Sequence, residues 1–442
     1  MKLVFILFCL IFAFASSSFG QKPDEILATA AGRKFSARDL SADGRKLFEN
    51  QNVIIAEART KIFTQMLDNI LLDLEAKSKS ISVDTLLDAE TKKIPDPNAT
   101  EIKAIYDANR SALGDKPIDA VRPQIVDYLR RQPEQHVIQN LVDKLKVKYK
   151  VVPGKNVNDS ILKPLESLAT VNGKAISVKD FEEKNKAALY DVRAGIADNI
   201  KLDLAAAVFQ ALVNEEAKAK NTDASGIIAV EITDKLRDYS DAERDALVSD
   251  FQSRLFAKYT VKLLLKELEP FVQSISTDDD PSQGKSSAPV TVVMFSDFQC
   301  SACGAVHPVL KSVLSGYGDK VRLVVRDFPL TGMHENAFRA ALAANAANAQ
   351  GKFFEYIDVL YRNQEALDGA SLKKYAASLG LNIKQFELDL SSEKTAAEVR
   401  KDMADGANYG IQGTPTIFVN GIKVRRLSTD GFKTAIKKAL NK

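Results

Sequence analysis

The chain of 442 residues has no tryptophan, three cysteines and three histidines, and for its length few glycines and prolines, 21 and 14. Scarce glycine and proline exclude a collagen-like or low-complexity chain, and a 45% hydrophobic content excludes a disordered one. Neither charge sign is in large excess, with 61 Lys and Arg against 58 Asp and Glu. That balance gives no electrostatic drive toward nucleic acid or anionic lipid, so the expected partners are proteins. A zinc site needs about four ligands, and a single close cysteine pair with scattered His136, His307 and His334 is a poor candidate; no metal or other cofactor is expected. What is present fits a soluble, helix-rich chain of two or three domains.

The chain opens with Met1-Lys2, an apolar run from Leu3 to Ala15, and Ser16-Ser17-Ser18-Phe19-Gly20. Charged, apolar and small-residue parts in that order read as a secretory signal over residues 1–20, cleaved after Ala15 or Gly20. The alternative is a retained membrane anchor, but the run is short against the roughly 20 residues that cross a bilayer. Cys9 lies inside this run. Once the signal is removed, Cys300 and Cys303 are left alone in a protein sent where disulfides persist, and the expected location is the bacterial periplasm.

Two segments echo each other at a constant offset of 141 residues, Leu27-Ala28-Thr29-Ala30-Ala31-Gly32-Arg33-Lys34 and Leu168-Ala169-Thr170-Val171-Asn172-Gly173-Lys174-Ala175. The register holds through Asp39 and Asp180 to Glu75-Ala76-Lys77 and Glu216-Ala217-Lys218, which reads as an internal duplication. Each copy opens with a strand and turn at Gly32 or Gly173 and enters a long helix. Ile62, Met66, Ile70 and Leu74 line one such helix, and Ile196, Ile200, Leu204, Val208 and Leu212 the other. Further helices are expected over Glu101–Asn109 and Pro133–Lys146, then a strand over Val147–Val152. An amphipathic helix is expected from Asp241 to Leu268, closed by Pro270. The sequon Asn98-Ala99-Thr100 reads as a helix start, and His136 as a solvated helix residue.

After Pro270 the pattern changes. A first strand is expected at Phe271–Ile275, followed by a Ser-, Asp- and Gly-rich loop. Val290–Phe295 and Val321–Val325 are apolar runs of the kind buried on both faces of a sheet, with a helix between them that starts at the cysteines. A helical stretch over Glu335–Asn408 precedes a hairpin of Thr416–Val419 and Ile422–Val424 around Asn420-Gly421, and a last helix over Thr429–Leu440. The expected domains are therefore a signal over 1–20, a first helical repeat over 21–152, a second over 153–269, and an α/β domain over 270–442.

Cys300 falls just past a strand, where a helix begins. Unpaired backbone N–H groups and the helix dipole favour the thiolate there, so its pKa should fall from about 8.5 toward about 3.5–7.5. Cys303, one turn further in, should be more buried and less acidic. Some 110 positions later comes Gly413-Thr414-Pro415-Thr416-Ile417-Phe418-Val419-Asn420-Gly421. With Phe295-Ser296-Asp297-Phe298-Gln299-Cys300, Arg326-Asp327-Phe328-Pro329-Leu330 and Gln350-Gly351-Lys352-Phe353-Phe354, this motif resembles the thioredoxin superfamily, and within it the DsbA-like periplasmic branch. The resemblance runs from Phe271 to Lys442. It implies an α/β thioredoxin-like domain with a helical insertion, preceded by a mostly α-helical duplicated region. It also implies that Pro415 is a cis-proline facing the cysteines, and that Thr414 offers its backbone to a bound peptide.

Two departures from the family stand out. The acidic residue often found six positions before the first cysteine is Met294 here, so proton transfer would use Asp297, water or another group. The dipeptide between the cysteines is Ser301-Ala302, without the histidine or proline of several relatives. His307, one turn beyond Cys303, is a candidate modulator beside Asp297, and His334 reads as a helix cap.

These readings give a thiol-disulfide oxidoreductase acting on unfolded or thiol-containing exported proteins, recycled by a membrane or soluble redox partner. The Leu168–Asp180 and Glu101–Asn109 segments resemble the helical region of SurA-type periplasmic chaperones, implying a cradle for unfolded chains; a helical spacer or dimerisation arm is the alternative. A folding chaperone or a dimeric disulfide isomerase are the rival functions. The sequence leaves the oligomeric state open.

Overall fold

The structure, a computed structural model, describes residues 24–114 and 116–441. The expected signal over residues 1–20 and Cys9 lie outside the described residues. The chain divides into two units, parted between Glu267 and Leu268.

The first unit contains β1 (Ala28–Ala30), β2 (Arg33–Phe35), α1 (Ala42–Ser78), α2 (Val83–Thr91), α3 (Ala99–Ala108), α4 (Arg110–Leu113), α5 (Ile118–Lys148) and β3 (Val152–Pro153). There follow β4 (Ser167–Val171), β5 (Lys174–Ser177), α6 (Val178–Lys184), α7 (Lys186–Ala219), α8 (Ala224–Glu231), α9 (Asp241–Lys258) and β6 (Lys262–Leu263). The duplication extends to backbone detail. Ala31-Gly32 and Asn172-Gly173 both turn through positive φ. Ser36 with Asp39, and Ser177 with Asp180, form matching capping boxes. The offset falls from 141 to 110 residues by Tyr149 and Tyr259, because the first copy carries the extra helices α3 and α4.

The two copies exchange their hairpins. β1 pairs with β2 and with β6, which ends the second copy; β4 pairs with β5 and with β3, which ends the first. One core joins Leu27, Phe35 and Leu40 of the first hairpin to Ile200, Leu204, Val208 and Leu212 of α7. The other joins Leu168, Ile176 and Phe181 to Leu67, Leu71 and Leu72 of α1 and Leu145 of α5. The 152/153 division of the sequence is therefore not a division of the core. Helices α1 and α7 run antiparallel between the two cores, with Met66 accepting from the Asn185 amide at 3.2 Å and Ser41 N–H donating to Asp203 at 2.8 Å. Gly44 lies beside the Asp203 carboxylate, where a Cβ would collide with it.

Three expected boundaries in this unit are corrected. α5 runs through Pro133 instead of starting there, with Pro133 exposed on the helix surface. It also runs on to Lys148, so the strand expected from Val147 shrinks to Val152–Pro153. α9 stops at Lys258, not Leu268: Thr260 turns through φ 48°, Val261 N–H bonds the Phe256 carbonyl, and the chain is drawn into pairing with β1. Asn98 caps α3 with Glu101 as its capping-box partner, and His136 is exposed on α5.

The second unit is built on a five-stranded sheet ordered β11-β10-β8-β9-β7. Its elements are β7 (Ser282–Gln283), β8 (Val290–Ser296), α10 (Ser301–Ser315), β9 (Val321–Asp327), α11 (Ala337–Asn348), α12 (Phe353–Arg362), α13 (Gly369–Ser378), α14 (Ile383–Leu390), α15 (Glu393–Asn408), β10 (Thr416–Val419), β11 (Ile422–Lys423) and α16 (Thr429–Leu440). β8 and β9 are parallel; β10 and β7 flank them antiparallel. Val292 and Met294 face one core with α10, α12 and α16, while Val293 and Phe295 face another with Phe418 and Ile411. The strand expected over Phe271–Ile275 is a single bridge, Val272 to Ile422 at the β11 edge of the sheet, and β7 forms the opposite edge.

Arg326, fully buried on β9, ties α15 to the sheet. Its guanidinium bonds Asp402 at 2.9 Å and Asp405 at 2.8 Å and lies 3.0 Å from Asp280, while Asp327 N–H donates to Asp402. The carboxylates of Asp280, Glu398 and Asp402 converge here, and burial pushes Asp280 up to about 9.

Candidate active site

Strand β8 ends at Ser296, and the turn Asp297-Phe298-Gln299 delivers Cys300 to the N-cap of α10. Cys303 follows inside the first turn. Both are free thiols. Cys300 is 8% exposed and Cys303 0%, so the first residue keeps some contact with solvent and the second is buried. The antiparallel register Phe295↔Thr416 brings the loop before β10 against this turn. The Thr414–Pro415 bond is cis, and the Cys300 thiol donates to the Thr414 carbonyl at 3.4 Å.

The two sulfurs differ in acidity for identifiable reasons. The Cys303 thiol donates to Cys300, the backbone N–H groups of Cys303 and Ala302 and the Thr414 hydroxyl add to it, and together they outweigh burial, holding Cys300 down at about 5. Burial pushes Cys303 far up, partly countered by the Asp297 backbone N–H and the Ser296 and Thr414 hydroxyls that face its sulfur.

Asp297 is buried and its carboxylate is taken up locally: it accepts from Gln299 N–H at 2.8 Å, Leu330 N–H at 2.9 Å and His334 Nδ1 at 2.7 Å. His334, expected to cap a helix, instead ties its side chain to Asp297; only its carbonyl serves α11, accepting from Ala337 N–H at 3.2 Å. His307 is buried on α10, where desolvation lowers its pKa against the pull of Asp358. Its Nε2 meets Asp358 at 2.8 Å and its ring lies 4.6 Å from that of Tyr361. Met294 sits fully buried opposite Ile417 and Val325.

Three residues escaped the sequence reading. Gln364, just past α12, donates to the carbonyls of Phe298 at 3.0 Å and Cys300 at 2.8 Å, clamping the turn. Ser296 and Tyr361 place their hydroxyls 2.5 Å apart next to Cys303. Ser296 lay in plain view within the motif before Cys300. Nothing in the sequence linked Tyr361 or Gln364 to the cysteines.

A thioredoxin-type sheet, a helical insertion between β9 and β10 and a CxxC pair at a helix start opposite a cis-proline define the second unit as a thioredoxin-like domain. In agreement, residues 276–438 match the Thioredoxin family. The chain is 36% identical over 178 residues to the Na(+)/H(+) antiporter NhaA 3 of Salinispora tropica, covering 40% of this chain and 27% of that protein. It thus spans about a quarter of the length of the curated relatives it matches. Among the described residues, no helix is long and apolar enough to cross a membrane. Solved structures similar to this chain include a thioredoxin-like oxidoreductase from Silicibacter pomeroyi, 26% identical, covering 37% of this chain and 93% of that one with a TM-score of 0.35. Oxidised BdbD from Bacillus subtilis is 25% identical, covering 40% and 100%, with a TM-score of 0.36. None of these three is a SurA-type chaperone.

Proposed function

We propose that the protein is a thiol-disulfide oxidoreductase acting on exported proteins in an oxidising compartment such as the periplasm. The observation that carries this reading is the asymmetry of the pair: an acidic, partly accessible Cys300 against the Thr414–Pro415 edge, backed by a sealed, weakly acidic Cys303. A nucleophilic thiolate and a second thiol one turn away are what capture and resolution of a mixed disulfide require. Thr414 and Pro415 line the approach to Cys300 and are the residues a bound peptide would meet. A membrane or soluble partner recycles the pair.

Cys300→Ser should abolish exchange, whereas Cys303→Ser should accumulate mixed disulfides with substrate. Exchange at the wild-type rate in both variants overturns the reading. In this proposal the helical unit holds unfolded chains, as its SurA-like segments imply, and raises their effective concentration at the thiols. Suppression of aggregation by the Cys300→Ser, Cys303→Ser double variant tests that role, and its absence would leave the helices a spacer.

A further inference from the structure

The buried thiol poses a chemical problem that the acidic thiol does not. Cys303 must carry negative charge in one step of either reaction direction, yet it is fully buried, and the nearby strand position Met294 offers only a thioether. The Asp297 carboxylate is committed to three other donors, Gln299 N–H on its own turn and Leu330 N–H and His334 Nδ1 beyond β9. Facing the sulfur are the Asp297 backbone N–H and the hydroxyls of Ser296 and Thr414, and of these the Ser296 oxygen lies 2.5 Å from the hydroxyl of Tyr361, itself buried. Tyr361 is held in place by Phe298, at 5.5 Å between rings, and by His307, which is anchored in turn on Asp358.

We infer that Ser296 is a catalytic residue that stabilises the Cys303 thiolate by hydrogen-bond donation, and that Tyr361 is a positioning residue that orients and polarises the Ser296 hydroxyl. The inference rests on the redox reading above. In the reductive direction, the Cys300 thiolate attacks a substrate disulfide; a Cys300–substrate S–S bond forms, the substrate S–S bond breaks, and the released thiolate takes a proton from water. Cys303 then yields its proton to water. Tyr361 O–H donates to Ser296 Oγ and Ser296 O–H donates to the Cys303 thiolate, which attacks Cys300 Sγ. The Cys300–Cys303 bond forms, the mixed disulfide breaks, and the second substrate sulfur leaves with its electron pair and is protonated by water. Two electrons have passed from the dithiol to the substrate disulfide. In the oxidative direction the same donor stabilises Cys303 as the leaving group. A hydroxyl pair thus serves where an ionisable carboxyl is lacking, and it adds no charge of its own to the buried site.

The test is stopped-flow measurement of mixed-disulfide capture and resolution in the full chain, with Ser296→Ala, Ser296→Thr and Tyr361→Phe. Loss of one hydrogen bond to a buried thiolate should slow resolution relative to capture by about 10- to 100-fold in Ser296→Ala, and less in Tyr361→Phe. Ser296→Thr, which keeps the hydroxyl, should recover most of the rate. The pH profile of resolution should shift upward in Ser296→Ala. Resolution-to-capture ratios at the wild-type value in both Ser296→Ala and Tyr361→Phe overturn this inference. Absence of any mixed disulfide in the wild-type protein overturns instead the redox reading on which it stands. Equal losses in Ser296→Ala and Ser296→Thr, with no change in pH profile, would mean a packing role and also overturn it.

Discussion

Glu75 and Glu216, 141 residues apart, occupy equivalent buried positions, and each accepts a hydrogen bond from a tyrosine at the end of its own copy: Tyr149 at 2.8 Å and Tyr259 at 2.7 Å. Lys148 and Lys258 complete the two pairs. These contacts pin the chain where it leaves each copy to pair with the other copy's hairpin.

Lysine contacts, and the tyrosine hydroxyls with them, hold Glu75 down at about 2 and lower Glu216 as well. A carboxyl whose pKa is depressed by folding contributes stability that is fully present above its unfolded value, about 4.3, and is lost as pH falls toward the folded one. The helical unit should therefore lose stability between about pH 4.3 and 2, as followed by circular dichroism. Glu75→Gln and Glu216→Gln should each cost on the order of 1–2 kcal/mol at neutral pH and flatten this acid dependence.

For Cys300, the thiolate ultraviolet absorbance of the reduced protein should titrate with a midpoint at about pH 5. The sign for stability is the same as for a depressed carboxyl. The reduced form gains stability as pH rises from about 5, in full above the unfolded thiol value of about 8.5, and the oxidised form does not. Reduced protein should thus unfold at higher denaturant relative to oxidised protein at pH 8 than at pH 4. Thr414→Val, which removes a donor, should move the midpoint upward.

Gln364→Ala frees the carbonyls of Phe298 and Cys300 and loosens the turn that aims the attacking sulfur. Exchange should slow by about tenfold with little change in melting temperature, since orientation is lost and the core is not. Gly304→Ala should do the same, because its new methyl would push the Gln364 amide away.

Arg326 is the charge that lets Asp402 and Asp280 remain together inside the second unit. Arg326→Met should destabilise that unit by about 3–5 kcal/mol in denaturant titrations, because the buried Asp402 loses its partner. Arg326→Lys should rescue little, since one ammonium cannot reproduce the fork that meets Asp402 and Asp405 together.

Much of the second unit was legible because its signals are local. Val290–Ser296 and Val321–Asp327 are apolar enough to be central strands wherever they pair, and Cys300 to Cys303 lies within a single helical turn. The duplication was equally visible, because it is a register. The hairpin exchange was not: two similar copies offer the same edge to β3 and to β6, and only the turn directions at Lys150 and Thr260 and the packing of α1 on α7 choose between them. The end of α9 was misread for the same reason, since the Leu- and Lys-rich periodicity continues past Tyr259 while the backbone is taken by a strand.

The amino-acid order alone determined which atoms can react, because the pairing of Cys300 with Cys303 and the Gly-Thr-Pro motif depend on neighbours in the chain. Which groups stabilise the buried sulfur was decided by tertiary structure. Ser296, Tyr361 and Gln364 belong to a strand and a helical insertion as far as 68 residues apart, and only packing on the common sheet brings their polar atoms within hydrogen-bonding reach of the cysteine turn.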